Sequence, residues 1–203
     1  MKEQIKHAYI QFVRENGQPP ASVFKLVQNM QIDEKTFYGE YTSFLQIEQE
    51  IWGDYFEQTL SQIEGEEVYA EYTVREKLLA FFYTLVERLK ENRSFLVGST
   101  SKGLKGNVLT EFKKKFREYA RDLIDEGIMR DEIEPRAFFS ERYPDLLWKE
   151  AQYIINFWIK DKSPNFENTD AAIEKAVNFA MDLLGRNIAD STVDFVKFLF
   201  QNR

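Results

Sequence analysis

The chain has 203 residues, 43 % of them hydrophobic and 30 % charged, with a net charge of −7 and no cysteine. This is the composition of a soluble globular protein with a real core, large enough for one big domain or a small domain leading into a larger one. Disulfides, thiolate metal sites and cysteine catalysis are excluded, and the acidic balance argues against a general polyanion binder.

The pattern is helical nearly throughout. Segment 4–16 sets Ile5, Tyr9, Phe12 and Val13 on one face, and Gly17 with Pro19-Pro20 ends it. His7, the single histidine, falls on this helix as a surface residue, which makes histidine chemistry or metal ligation unexpected. Ser22 can cap a short helix carrying Val23, Leu26 and Val27, and Asp33 can cap the next, 34–39. Ser43 opens a longer helix that closes near Gly65. Further helices are expected near 71–91, 94–102, 107–127, 144–162, 169–184 and 190–201, separated by glycines and prolines. No segment alternates as a strand does. The fold class is all-α, a small N-terminal helical domain at 1–52 and a larger bundle at 53–203. No apolar run reaches the ~18 residues of a membrane span and no signal peptide opens the chain, so a cytoplasmic location is expected, without an integral membrane segment.

No catalytic or nucleotide motif is present: no GxGxxG, P-loop, HExxH or GxSxG. The acidic pairs Glu66-Glu67 and Asp131-Glu132 sit in loops as solvated charge. The chain is not expected to be an enzyme, and no cofactor or metal is called for.

The informative stretch is VFKLVQNMQIDEKTFYGEY, residues 23–41, which has the spacing of a helix, a tight turn and a second helix. In such a unit Val23, Leu26, Val27, Ile32 and Phe37 pack inward, leaving Lys35, Thr36, Gly39 and Tyr38 outward. Residues 21–52 resemble the DNA-binding domain of the TetR family of bacterial repressors. Leu26-Val27 fill the family's I-A positions and Met30-Gln31-Ile32-Asp33 its A-G-V-S. Thr36 and Tyr38 match T-x-Y, Tyr41 the following aromatic, and Ile47 the later leucine. The resemblance implies operator DNA contacted by Ser22, Lys25, Lys35, Thr36, Tyr38 and Tyr41. It also implies a helical remainder that binds a small apolar ligand and forms a homodimer.

The stretch departs from the pattern in two ways. Gln31 replaces the turn glycine, implying a more strained or slightly different turn, and Phe44 replaces the lysine that opens the fourth helix and grips a phosphate. Across residues 1–50, five bases face seven acids, a local charge of −2, so DNA contact should be weak and salt-sensitive.

The aromatics leave two readings open. Phe82, Tyr83, Phe112, Phe116, Tyr119, Trp148, Tyr153 and Phe157 line a pocket for an apolar ligand, or they fill the core. Segment 144–162 is apolar around most of its circumference, so something beyond its own domain must cover it. The TetR resemblance makes this helix and 169–184 the dimer interface, with Ile155, Trp158, Ile159 and Phe179 in it. Residues 157–185 also resemble the lipid-binding accessory protein of coenzyme Q biosynthesis, through Asp161, Ser163, Pro164, Phe166 and Thr169. That family has a TetR-like fold without the DNA-binding role. The alternative it implies is a lipid- or partner-binding protein that has lost DNA. The apolar tail at 191–203 docks on the bundle or the partner, or lies on a membrane surface.

Overall fold

The computed structural model describes residues 1–100, 107–136 and 140–185, and every regular element in them is helical. The helix expected at 190–201 lies outside the described residues. The chain divides into two compact units: residues 1–59 with 85–115, and 60–84 with 116–203.

In the first unit, α1 (Lys2–Asn16) buries Ile5, Tyr9 and Val13. It stops where Gly17, at φ 67°, donates its N–H to the Val13 carbonyl at 2.8 Å. α2 (Val23–Met30) is capped by the Ser22 hydroxyl, which accepts the Lys25 N–H at 3.2 Å. α3 (Glu34–Tyr38) is capped by Asp33, and α4 (Phe44–Glu64) starts in this unit. Gln46 reaches back to the Thr42 N–H at 2.7 Å while its own N–H meets the Ser43 hydroxyl, so the two ends of the first turn of α4 satisfy each other. α6 (Arg93–Ser99) crosses α1 closely at Gly98, where a Cβ would lie 2.9 Å from a Val13 methyl and 3.2 Å from the Gly17 backbone. The core rings here include Trp52, Phe56 and Phe112, the last standing edge-on to the other two at 6.1 and 5.5 Å.

The second unit holds most of α5 (Val74–Glu91) and α7 (Thr110–Met129), with α8 (Tyr143–Lys160) and α9 (Glu167–Leu184). A single 3-10 turn at Glu67–Glu71 precedes α5, where the sequence suggested that the helix itself begins at 71. The shift has a local cause. Thr73 and Glu76 form a reciprocal cap, with the Thr73 N–H on the Glu76 carboxylate at 2.8 Å and the Glu76 N–H on the Thr73 hydroxyl at 3.3 Å. Phe81, Phe82, Phe116, Tyr119 and Trp148 make the centre of this unit, in ring contacts of 5.2 to 6.3 Å.

The connector between α8 and α9 is built around Asp161. One carboxylate oxygen accepts from the Ser163 N–H and hydroxyl at 2.8 and 2.7 Å; the other accepts from the Thr169 N–H and hydroxyl at 2.9 and 2.6 Å. Burial raises the Asp161 pKa, but hydrogen bonds from Thr169 and Ser163 outweigh it and hold the carboxyl at about 2. The Asp-x-Ser-Pro…Thr segment is therefore a device for reversing the chain and starting α9.

Candidate functional site

The α2–α3 unit turns on Gln31, which takes the left-handed conformation at φ 56° and ψ 36° where glycine would be free of strain. Leu26, Val27 and Phe37 are buried beneath it. Phe44 explains its own departure from the DNA-binding pattern. Its ring stacks on Tyr9 at 5.1 Å and meets Phe37 edge-on at 5.8 Å, so it ties α3 and α1 to the start of α4.

Of the residues proposed to meet DNA, Ser22, Lys25, Lys35 and Tyr38 lie on the outer surface, Tyr38 with 55 % of its area exposed. Thr36 is half-buried, and both its N–H and its hydroxyl donate to Asp33, at 2.7 and 2.6 Å. It serves the cap. These bonds hold the Asp33 pKa below its usual value, so a fixed negative charge stands at the start of α3. Tyr41 is in the core at 1 % exposure, its hydroxyl donating to Glu50 at 3.2 Å, and so it is not part of the outer face. Phe24, 59 % exposed on α2, is an apolar surface residue that the sequence reading passed over.

Ion pairs within the unit leave the local balance of five bases against seven acids unchanged, because they occupy bases as well as acids. Lys6 pairs with Glu3, Glu50 and Asp54, and Lys2 with Glu50. Burial lowers the Lys6 pKa, but the hydrogen bonds that its ammonium donates to these acids more than reverse it and lift it above its ordinary value. Glu50 and Asp54 of α4 are thus held by lysines of α1 and tie the two helices together. Lys25 and Lys35 make no ion pair among the described residues and are the cations that α2 and α3 present.

The eight proposed pocket residues fall in three places. Phe82, Phe116, Tyr119 and Trp148 belong to the packed ring cluster of the second unit, each 7 % exposed or less. Phe112 packs in the first unit against Trp52 and Phe56. Tyr83 is half-buried, its hydroxyl 3.3 Å from Glu174, while Tyr153 and Phe157 contact each other on the outer side of α8 at 5.9 Å.

The proposed dimer residues divide similarly. Ile155 and Trp158 are fully buried within the unit, Ile159 is half-buried, and only Phe179 stands clear, at 67 % exposure. The outward face of α8 is instead the strip Leu146, Glu150, Tyr153, Phe157, which the i, i+4, i+7, i+11 spacing brings into line. With Ala172, Ala176 and Phe179 of α9, most of this strip borders a shallow groove of about 410 Å³. Sequence reasoning missed Glu150. Its carboxylate is buried in the groove floor, and neither oxygen has a hydrogen-bond partner.

The sequence model of the family described as "Tetracyclin repressor-like, C-terminal domain" matches residues 77–199, more than half of the chain. The chain belongs to the TetR family. No curated relative and no solved structure matched it. The matched span contains α8, α9 and the ring cluster, whereas the resemblance read from the sequence rested mainly on residues 21–52, outside that span. As a TetR-family chain it is all-α, and no described helix is long and apolar enough to cross a membrane. No group of side chains among the described residues is arranged to hold a metal ion.

Proposed function

We propose that the protein is a dimeric transcriptional regulator in which residues 1–52 bind operator DNA and residues 53–203 bind a small apolar ligand and dimerise. The observation that carries this reading is the outer face of α2–α3. Two caps and a left-handed turn set two short helices with Ser22 and Lys25 on the first and Lys35 and Tyr38 on the second facing out, on a chain of the TetR family. Two copies present this face twice, as a two-fold operator requires. Ligand control is then a shift between dimer states that differ in the spacing of the two α3 helices.

Mobility shift with DNA flanking the protein's own gene tests the proposal. If Lys25 and Lys35 of both copies neutralise four phosphates, affinity falls about a hundred-fold between 50 and 200 mM salt, and Lys35→Ala lowers the salt slope by about 2 per dimer. Absence of a shift even at low salt would overturn DNA binding.

The second reading, a lipid- or partner-binding TetR-fold protein without DNA, is favoured by the fixed Asp33 charge and by Phe44 in place of a phosphate-gripping lysine. It predicts no shift together with an apolar molecule that co-purifies and is seen by native mass spectrometry.

A further inference from the structure

The outer face of α3 carries two neighbouring acids in different situations. Asp33 is engaged in the cap: one of its oxygens accepts both Thr36 donors, at 2.7 and 2.6 Å, so the carboxylate is turned back on the first turn of the helix. Glu34, the next residue, is exposed and makes no hydrogen bond or ion pair among the described residues. It precedes Tyr38 by four residues, and that spacing sets the two side by side on the outer face. Lys35 is exposed next to them, and Phe37 is buried on the opposite side.

On a helix that meets DNA these charges have opposite tasks. Lys35 is drawn to phosphate, whereas Glu34 is repelled by it and weakens contact wherever it faces the backbone. A carboxylate only accepts hydrogen bonds, so the groups it can use in the major groove are base amino groups, on cytosine and on adenine. The two are unequal partners. The adenine amino group lies between two acceptors, its own N7 and the O4 of the paired thymine, and both repel a carboxylate. The cytosine amino group has an acceptor on one side only, the O6 of the paired guanine. Cytosine is the base that suits Glu34.

We propose that Glu34 is a specificity-determining residue that accepts a hydrogen bond from the amino group of one cytosine in each operator half-site. The assignment rests on the DNA-binding reading above and names part of the sequence that it selects. The acid that weakens contact with DNA in general is then what separates the operator from other DNA. A non-cognate base leaves Glu34 facing acceptors and phosphates, and a correctly placed cytosine removes that penalty. Two copies read two cytosines related by the two-fold axis of the site.

Binding-site selection with the full chain tests the assignment: randomised duplexes are retained on the protein at low salt and the bound pool is sequenced. The parent is expected to fix cytosine at one position of each half-site. Replacing that base pair should weaken binding about 5- to 150-fold per half-site in a mobility shift. Glu34→Gln should move the preference at that position from cytosine to adenine, because an amide accepts from N6 and donates to N7 together. Glu34→Ala should lose the preference there and keep it elsewhere. The side chain is exposed and takes no part in the Asp33–Thr36 cap, so both variants keep the fold of α3. If Glu34 serves only the helix, through its charge in the first turn, each variant changes affinity by one factor for every site. That result overturns the assignment, as does a parental pool with no cytosine fixed in the half-sites. In both cases DNA is still bound and the DNA-binding reading stands. No duplex retained by the parent or by either variant overturns DNA binding itself.

Discussion

Replacing Phe116 by alanine is expected to cost about 3–5 kcal/mol, the range for emptying an aromatic site in a packed core. Phe116 is fully buried, and its ring meets those of Phe81, Phe82, Tyr119 and Trp148 at 5.5, 6.0, 6.3 and 6.1 Å. Four ring neighbours held on α5, α7 and α8 cannot all close on the space, so the cavity penalty adds to the lost transfer energy. Urea denaturation followed by far-ultraviolet circular dichroism gives the number. The result also separates the two readings of the aromatic residues. A ring that lines a ligand cavity already faces empty space on one side and has fewer contacts to lose, so truncating it should cost less than the packed-core range. A large loss therefore makes Phe116, with Phe82, Tyr119 and Trp148, filling rather than wall, and moves the search for an apolar ligand elsewhere in the second unit.

Local order was legible wherever one residue decides a conformation. Gly17, Ser22, Asp33 and Ser43 mark helix ends in the sequence, and each acts there in the structure, because a cap needs only its own side chain and the next turn. The strained turn expected at Gln31 is present for the same reason. Orientation was less legible. The near-continuous apolar run of α8 says that the helix is covered on several sides without saying which side its own unit covers. Ile155 and Trp158 went to the core, whereas Tyr153 and Phe157 stayed outside. Glu150 was hidden for a related reason. In WKEAQ it follows a lysine and reads as surface charge, and only the packing of α9 on α8 buries it. Thr36 and Tyr41 show a further limit: a matching residue type fixes neither the partner that its hydroxyl finds nor its exposure.

Asp161→Ala is expected to destabilise the protein by about 3 kcal/mol, because one substitution leaves four donors without an acceptor and two of them are buried on Thr169. Asparagine should be nearly as harmful. Each oxygen of Asp161 accepts from an N–H and a hydroxyl, and an amide has only one oxygen, so its NH2 would face a pair of donors. The effect carries a pH signature. The folded carboxyl titrates at about 2 against about 4 in the unfolded chain, so the stabilisation is complete above pH 4 and is lost as pH falls towards 2. The difference in melting temperature between the parent and Asp161→Asn should accordingly shrink across that window, and a constant difference would mean that the carboxylate is not what holds the connector. Asp161 lies in the segment that resembles a lipid-binding family, and the α8–α9 reversal that it builds is enough to account for its place there.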